Sequence, residues 1–390
     1  MDLSQSFVRV FTVRVLSLFL FLLFGTWNSA FAQQNSLIRK YFSSFENDTT
    51  NLAKAQFLVY PTLGFSPETN LEIGLSGLYL YYQNQDTSNR LSEITGRMFY
   101  TLENQYGAFV EHALYSQGNR WFFLGNFRYQ NFPLSFFGVG IESPKEDEQL
   151  VSAKQFLIKE RILREVKKNF YVGLELEYNR TSEVVFSKPE NLIFESPLYG
   201  TAGFTNFSSG LGLVLDSRHN VLNVREGYFS ELALLNSSRN LGSDYSFGVL
   251  LSDSRLFKTV RKNQVLAAQL VGQFSWGEVP YNQLPQLGGP NLMRGYYQGR
   301  FRDRNMLAGQ VEYRFLPFNL GFTNRIGGAV FASMGTVYNQ FDQIELNDFK
   351  GAVGGGLRFL LFPQKDIFVR FDFAMTREGN AFYVFIGEAF

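Results

Sequence analysis

The amino-acid sequence predicts an all-β protein, a sixteen-stranded antiparallel transmembrane β-barrel with a long sixth extracellular loop. Aromatic residues make up 17% of the 390 residues and charged residues 18%, yet the mean hydropathy is slightly negative. The aromatic residues must therefore be spread among polar ones, as on strands with one lipid-facing and one polar face. Alternating apolar and polar residues, and long connections that fall on one side, support the same fold.

Residues 1–32 form the predicted signal peptide. A basic start is followed by a short apolar run and by Ala30-Phe31-Ala32, which is the pattern of a secretory signal with an Ala-x-Ala cleavage site. The apolar run is too short to favour a transmembrane helix. We expect cleavage after Ala32, a short periplasmic N-terminal segment over 33–55 and the barrel over 56–390.

The predicted barrel wall is read from runs of alternating apolar and polar residues. In one run Leu174 and Leu176 alternate with Glu175 and Glu177, so that one face is apolar and the other charged. The strands of a soluble β-sandwich also alternate apolar and polar residues. The signal peptide and the even spread of aromatic residues favour the barrel over the sandwich. The sixteen predicted strands span residues 56–65, 70–82, 90–103, 105–117, 119–131, 150–165, 169–181, 204–217, 226–238, 243–257, 263–276, 305–316, 322–336, 349–361, 366–376 and 381–390.

Two polar residues interrupt the alternation of the predicted strands. Glu160 and Ser230 stand where an apolar side chain is expected. A local error in the strand register or a β-bulge would account for both, since a bulge adds one residue to a strand and moves the following side chains to the other face.

The connections between the predicted strands are unequal on the two sides of the barrel. If the N-terminus is periplasmic, the long connections lie on the extracellular side, and the periplasmic side has short turns such as Gly118-Asn119. Outer-membrane barrels have this distribution, which therefore supports the fold independently of the alternation. The long connections span residues 132–149, 182–203, 277–304 and 337–348.

The longest connection reads Gly-Gly-Pro-Asn-Leu-Met-Arg-Gly-Tyr at 288–296, and the next predicted strand contains Glu312-Tyr313-Arg314-Phe315. These motifs resemble the arginine-glycine-aromatic loop of the BamA/TamA superfamily of outer-membrane barrels. The resemblance implies that the loop folds back into the lumen. It also implies that Arg294, followed by Gly295 and Tyr296, meets acidic groups on the inner wall.

The acidic partner of Arg294 is not the residue that the family would suggest. The family often places an aspartate before Met-Gly-Thr-Val, where this sequence has Ser333. A buried arginine must be paired, because an isolated charge taken out of water is costly. Glu312 and Asp372 are the candidate partners, since both are predicted to point inward, and the alternative is an arginine in solvent.

The two ends of the barrel carry a second set of candidate residues. Pro61 removes a backbone donor from the first predicted strand, and strand prolines are confined to edges and bulges. Gly387 lies in the last predicted strand, where the family's terminal strand bends inward. By the resemblance, the two strands form a lateral gate for client strands, and Phe390 matches the terminal aromatic residue that assembly machinery reads. The alternative is a barrel that closes normally, with a proline near its rim.

Enzymatic chemistry is not expected from this sequence. His112 and His219 stand in no Ser-His setting and are read as lumen or turn residues, and histidine pairs for zinc are absent. The absence of cysteine excludes thiol chemistry, and a net charge of +1 gives no indication of a surface that binds nucleic acid. We expect no metal and no cofactor. Arg300, Arg302 and Arg304 are expected to form a solvated or lipopolysaccharide-facing patch.

The resemblance implies an outer-membrane assembly or translocation factor of a Gram-negative bacterium. Such a barrel assists the insertion or export of outer-membrane or surface proteins through the seam between its first and last strands. Segment 33–55 is too short to bury the core of a periplasmic docking domain. Expected partners are outer-membrane lipids and lipopolysaccharide, client proteins, and periplasmic or outer-membrane accessory proteins. The alternatives are a plugged passive channel and a structural anchor for a surface complex.

Overall fold

The computed structural model describes residues 54–188, 198–218, 223–321, 323–363 and 366–390. The predicted signal peptide, the predicted N-terminal segment up to residue 53 and His219 lie outside these described residues. Within the described part of the chain, no helix is long and apolar enough to cross a membrane.

Sixteen antiparallel strands close into a barrel, which confirms the predicted fold class. Each wall strand pairs with the next along the chain, and the last pairs with the first. The strands are β1 (Gln56–Ser66), β2 (Asn70–Tyr82), β3 (Leu91–Thr101), β4 (Tyr106–Tyr115), β5 (Trp121–Asn131), β6 (Gln149–Lys167), β7 (Phe170–Phe186), β8 (Phe204–Asp216), β9 (Gly227–Ser237), β10 (Phe247–Arg261), β11 (Gln264–Gly277), β12 (Asn305–Phe315), β13 (Ile326–Tyr338), β14 (Lys350–Phe362), β15 (Ile367–Thr376) and β16 (Gly379–Ile386). The short strand Leu134–Phe136 also pairs with β6, and Gln286–Leu287 pairs with Phe301–Arg302 within the longest connection.

The long connections lie at one end of the barrel, as predicted. We call this the loop end, and the opposite end, where β1 begins and β16 ends, the terminal end. The prediction of short turns at the terminal end is wrong for 217–226 and 316–325, which are longer. The first of these packs back onto the wall, where Val224 is buried against Phe257 and Ala267. The long connections at the loop end cover residues 132–148, 187–203, 278–304 and 339–349.

The outer surface of the wall is apolar, and the inner surface is polar. On β7, Leu174 is exposed while its neighbour Glu175 is fully buried. On β12, Val311 is exposed while Glu312 is fully buried. The period-two alternation read from the sequence therefore maps onto the two faces of the barrel, as a wall between lipid and a filled lumen requires.

Glu160 pairs with a histidine on the outer face of the wall. Its carboxylate lies 3.2 Å from Nε2 of His112 on β4, and the two side chains meet across Gly125 of β5. Val110 and Ile158, which share the faces of these residues two positions away, are exposed outer-face side chains. The bulges of β6 lie near its two ends. The bulge hypothesis for Glu160 is therefore wrong, and so is the expectation that His112 is a lumen or turn residue.

Ser230 also faces outward, on the exposed face of β9 that carries Tyr228 and Leu232. Its Oγ lies 2.8 Å from Oγ of Ser254, which is directly opposite on β10. The two hydroxyl groups satisfy each other, which removes most of the cost of placing a polar side chain on an apolar surface. A register error is therefore not needed to explain Ser230.

Candidate functional site: the lumen loop and the seam

The longest connection, 278–304, builds an apolar core inside the loop end of the barrel. Its side chains Leu287, Met293, Tyr296 and Phe301 are buried in one cluster with residues of β11, β12, β13 and β14. Tyr296 packs edge-on against Phe301, with ring centroids 5.5 Å apart. The connection therefore folds into the lumen, in agreement with the prediction. We call it the lumen loop.

Arg294 of the lumen loop lies between two acidic residues of the inner wall. Its Nη2 donates to Oε2 of Glu312 on β12 at 2.6 Å, and its Nη1 donates to Oδ2 of Asp372 on β15 at 2.7 Å. All three side chains are fully buried. The guanidinium carbon also lies 3.5 Å from the ring centre of Phe331. The structure thus brings the loop arginine together with both acids selected from the sequence.

Three arginines of the wall extend this arrangement. Arg314 donates to Glu312 at 2.7 Å, Arg358 donates to Asp372 at 2.6 Å, and Nη1 of Arg370 lies 3.4 Å from Asp372. None of the three was selected as a site residue from the sequence, although the alternation puts Arg314 and Arg370 on the inward face, each two positions from an inward acid. We call the ion-paired group the lumen cluster, and it consists of Arg294, Glu312, Arg314, Arg358, Arg370 and Asp372.

Gly295 holds the lumen loop against the last two strands. Its φ is +110°, and a Cβ at this position would lie 2.5 Å from Cγ2 of Thr376 on β15. Its N–H donates to the hydroxyl of Tyr383 on β16 at 3.0 Å, while the hydroxyl of Tyr296 donates to the carbonyl of Gly351 at 3.3 Å. Glycine accommodates both this backbone conformation and this close approach. The Arg-Gly-Tyr sequence therefore combines an ion-pairing residue, a close contact and an aromatic anchor.

The prediction of a solvated arginine patch is wrong for two of its three residues. Arg300 and Arg302 are each only 4% exposed. Arg300 Nε donates to Glu378 at 2.8 Å, and the Arg302 guanidinium lies 4.7 Å from the ring centre of Phe136. Arg304 alone of the three keeps partial exposure. In the sequence these three arginines look like an ordinary charged run in solvent, but the lumen loop turns inward there and buries Arg300 and Arg302.

A turn of the first hairpin also contacts the lumen loop. Glu68, between β1 and β2, accepts a hydrogen bond from the backbone N–H of Gln298 at 2.8 Å. Burial raises the pKa of the Glu68 carboxyl. Its Oε2 has no hydrogen-bond partner among the described residues. One side of the β1–β16 junction is thereby attached to the lumen loop.

The β1–β16 junction, which we call the seam, has the shortest ladder among the described wall strands. β1 pairs with β2 along its whole length, whereas its register with β16 consists of the single position Phe65 opposite Val384. Pro61 lies on the exposed outer face of β1, opposite Leu75 of β2. It therefore occupies the kind of edge position where a missing backbone donor is tolerated.

The last strand is shorter than predicted, because the chain leaves the wall at Gly387. β16 ends at Ile386, and Gly387 has a φ of +90° while its N–H still donates to the carbonyl of Phe368 at 2.8 Å. The next residue, Glu388, pairs with Arg358 of the inner wall at 2.8 Å. The predicted strand 381–390 is therefore wrong in its last four positions.

Phe390 lies in the barrel interior and not in the wall. Its ring packs against the buried side chains Val224, Phe257 and Ala267, and its main-chain oxygen accepts a hydrogen bond from Arg314 Nη2 at 2.9 Å. We call residues 387–390 the tail. The role of Phe390 as an assembly signal stays a prediction. The sequence could not place the tail, since its direction depends on one left-handed residue.

Three solved barrels resemble this fold. BamA from Haemophilus ducreyi lacking POTRA domains 1-3 aligns with a TM-score of 0.56 and 14% identity, covering 85% of this chain and 70% of that one. CdiB from Acinetobacter baumannii aligns with a TM-score of 0.53 and 9% identity, covering 86% and 59%. CdiB from Escherichia coli aligns with a TM-score of 0.53 and 10% identity, covering 84% and 62%. The chain thus spans about six tenths of either CdiB chain, and at these identities the likeness shows the fold alone.

Comparison of the sequence with protein-family models assigns the family. The model described as the Omp85 superfamily domain matches residues 45–390, which is most of the chain. No match was found among curated proteins. Barrels of this family are non-enzymatic, and the family consists of outer-membrane protein insertion and secretion factors. The chain therefore belongs to the Omp85 superfamily and is a sixteen-stranded barrel of the Gram-negative outer membrane.

Proposed function

We propose that this protein assists the insertion or translocation of outer-membrane or surface proteins through the β1–β16 seam. The observation that carries the proposal is the single register position, Phe65 opposite Val384, in a wall whose other strands pair over long ladders. Each backbone hydrogen bond contributes about 0.5–1.5 kcal/mol in water. A seam held by few such bonds opens at a lower free-energy cost than any other junction of the wall.

The ends of the chain and the surrounding lipids and proteins have roles in the proposed function. Residues 1–32 act as a cleaved signal peptide, residues 33–55 lie in the periplasm, and residues 56–390 form the barrel. Clients reach the seam either unaided or through periplasmic or outer-membrane accessory proteins. Lipids and lipopolysaccharide surround the wall, and Pro61 and Gly387 keep the two seam strands from forming a full ladder.

The second candidate function is a plugged passive channel. The filled loop end of the lumen, with Tyr296 and Arg294 almost fully buried, favours it. A crosslink across the seam separates the two functions, because it blocks passage of proteins between β1 and β16 but leaves a passive channel unaffected.

A disulfide across the seam tests the proposed function. The register places Phe65 opposite Val384, which makes these two positions the facing pair across the seam. Directly opposed strand positions are about 4.5–5.5 Å apart at Cα, within disulfide range. Phe65→Cys with Val384→Cys should abolish activity when oxidised and restore it on reduction, and the chain has no native cysteine to interfere.

The control for this lock is a disulfide in the complete β1–β2 ladder. Leu63 and Ile73 are opposite each other there, and cysteines at these positions should leave activity unchanged in both redox states. Activity is measured as complementation of the growth or surface-display defect of a deletion strain. If the oxidised seam variant complements as well as the control, proteins do not pass through the seam.

A further inference from the structure

We propose that the inner wall carries a docking site for the tail, and that this site and the lumen loop stabilise each other through shared arginines. The part of this inference that concerns regulation of the seam rests on the proposed function. The docking and the coupling themselves are properties of the isolated barrel. The ligand class is an acidic residue followed, two positions later, by an aromatic one, which the chain supplies as Glu388-Ala389-Phe390.

The docking site combines an ionic and an aromatic part. Arg358 Nε donates to both carboxylate oxygens of Glu388, at 2.8 and 3.1 Å, and both side chains are largely buried. The Arg314 guanidinium lies 5.1 Å from the ring centre of Phe390. The Phe257 ring on β10 lies 6.2 Å from it. The tail therefore contacts side chains of three wall strands, β10, β12 and β14.

The two arginines that bind the tail also belong to the lumen cluster. Arg358 contacts Asp372 as well as Glu388, and Arg314 contacts Glu312 as well as Phe390. Asp372 and Glu312 are the two acids that hold Arg294. Each step from the lumen loop to the tail is therefore a direct contact in the barrel interior.

The sign of the coupling follows from the charges. Among the ion pairs of the lumen cluster, the wall contributes three arginines and two carboxylates. The lumen loop adds the positive charge of Arg294, and the tail adds the negative charge of Glu388. Opposite charges brought into one region of low dielectric constant attract each other. Insertion of the loop therefore favours docking of the tail, and docking of the tail favours insertion of the loop.

This coupling would link the loop end of the barrel to the seam. The lumen loop also contacts β16 directly, through Gly295 and Tyr383. An event at the loop end that displaces Arg294 weakens the hold on the tail, and a freed tail leaves β16 able to move away from β15 and β1. The lumen cluster is then the element through which the loop controls the seam.

Fluorine NMR of the purified barrel in lipid nanodiscs tests the coupling. One sample carries 4-fluorophenylalanine at position 390 and another carries a fluorotyrosine at position 296, and saturation transfer measures the undocked population of each reporter. Arg294→Gln should raise the undocked tail population about fivefold or more, the lower end of typical couplings between sites. Glu388→Gln should raise the undocked loop population by the same factor, because coupling in binding is reciprocal.

The matched control is Glu142→Gln, which removes a carboxylate that pairs with Lys350 but is mostly exposed. It should change neither population. A tail that is mainly undocked in the wild type overturns the docking site, and substitutions that affect only their own segment overturn the coupling. If one variant does not fold, judged by heat-modifiable gel mobility, the reciprocal variant decides. No client is present, so a negative result here is distinct from failure of the seam lock.

Discussion

The lumen cluster and the seam differ in how the same wall is held together. In the cluster, each acid contacts more than one arginine, and the contacts join β12, β14 and β15 to the lumen loop. At the seam, two whole strands meet at one register position. Buried side chains therefore hold the lumen loop to β12, β14 and β15 at several points, whereas the β1–β16 junction is held by a much shorter backbone ladder.

Arg294→Ala is expected to destabilise the docked lumen loop more than any other substitution considered below. The substitution removes the cation between Glu312 and Asp372, and breaking a buried pair typically costs about 3–5 kcal/mol. We expect the lower end, since Arg314 and Arg358 still contact the two acids. The lumen loop should become protease-sensitive and conductance should rise. Arg304→Ala, in the same loop but partly exposed, is the control. Equal behaviour of the two variants would mean that the lumen cluster does not hold the loop.

Gly295→Ala is expected to destabilise the docked lumen loop by a smaller amount. A left-handed backbone costs a non-glycine residue roughly 1–2 kcal/mol, and the new Cβ would also meet Thr376 Cγ2 at 2.5 Å. Gly289→Ala has similar strain, with a φ of +123°, but its Cβ has 3.6 Å to the nearest atom. The difference in loop protease sensitivity between the variants measures the close contact alone. Thr376→Ser, which keeps the hydroxyl but removes Cγ2, should restore Gly295→Ala to the level of Gly289→Ala.

At the seam, Gly387→Ala should act on the tail. Its φ is +90°, and a Cβ there would meet no atom within 4 Å, so only backbone strain of roughly 1–2 kcal/mol opposes the substitution. The undocked population of a 4-fluorophenylalanine at position 390 should rise about 5- to 30-fold, since about 1.4 kcal/mol corresponds to a factor of ten. Gly96→Ala, which also has open space but no left-handed φ, should leave that population unchanged.

Glu68→Gln is expected to change the stability of the folded barrel least, and the change depends on pH. Because burial raises the pKa of Glu68 in the folded barrel, its ionisation opposes the fold, and stability falls as the pH rises from the ordinary value of 4.5 through the raised one. Glutamine keeps an acceptor for the Gln298 N–H without the charge. The variant should therefore be slightly more resistant to loop proteolysis than wild type at pH 7 and equal to it below about pH 4. An advantage that persists at low pH would point to a cause other than ionisation.

Much of the fold was predictable because a barrel strand repeats one simple pattern. The alternation placed Glu312 and Asp372 on the inner face, and the distribution of long connections identified the loop end. The direction of the chain after β16 was not predictable, because it depends on the φ angle of Gly387 and on distant partners such as Arg358 and Phe257. The burial of Arg300 and Arg302 escaped prediction for the same reason, since residues of other connections cover them.

The pairing of His112 and Glu160 has a consequence for how the wall assembles. A register slip of two residues between β5 and β6 would keep every side chain on its proper face, so burial alone does not prevent it. Such a slip replaces Gly125, opposite Glu160, by Phe123 or Phe127, and either ring would separate the carboxylate from His112. An unpartnered charge would then face hydrocarbon, which is unfavourable in a barrel wall. Gly125, His112 and Glu160 together therefore favour the native alignment of β5 with β6 over the slipped ones.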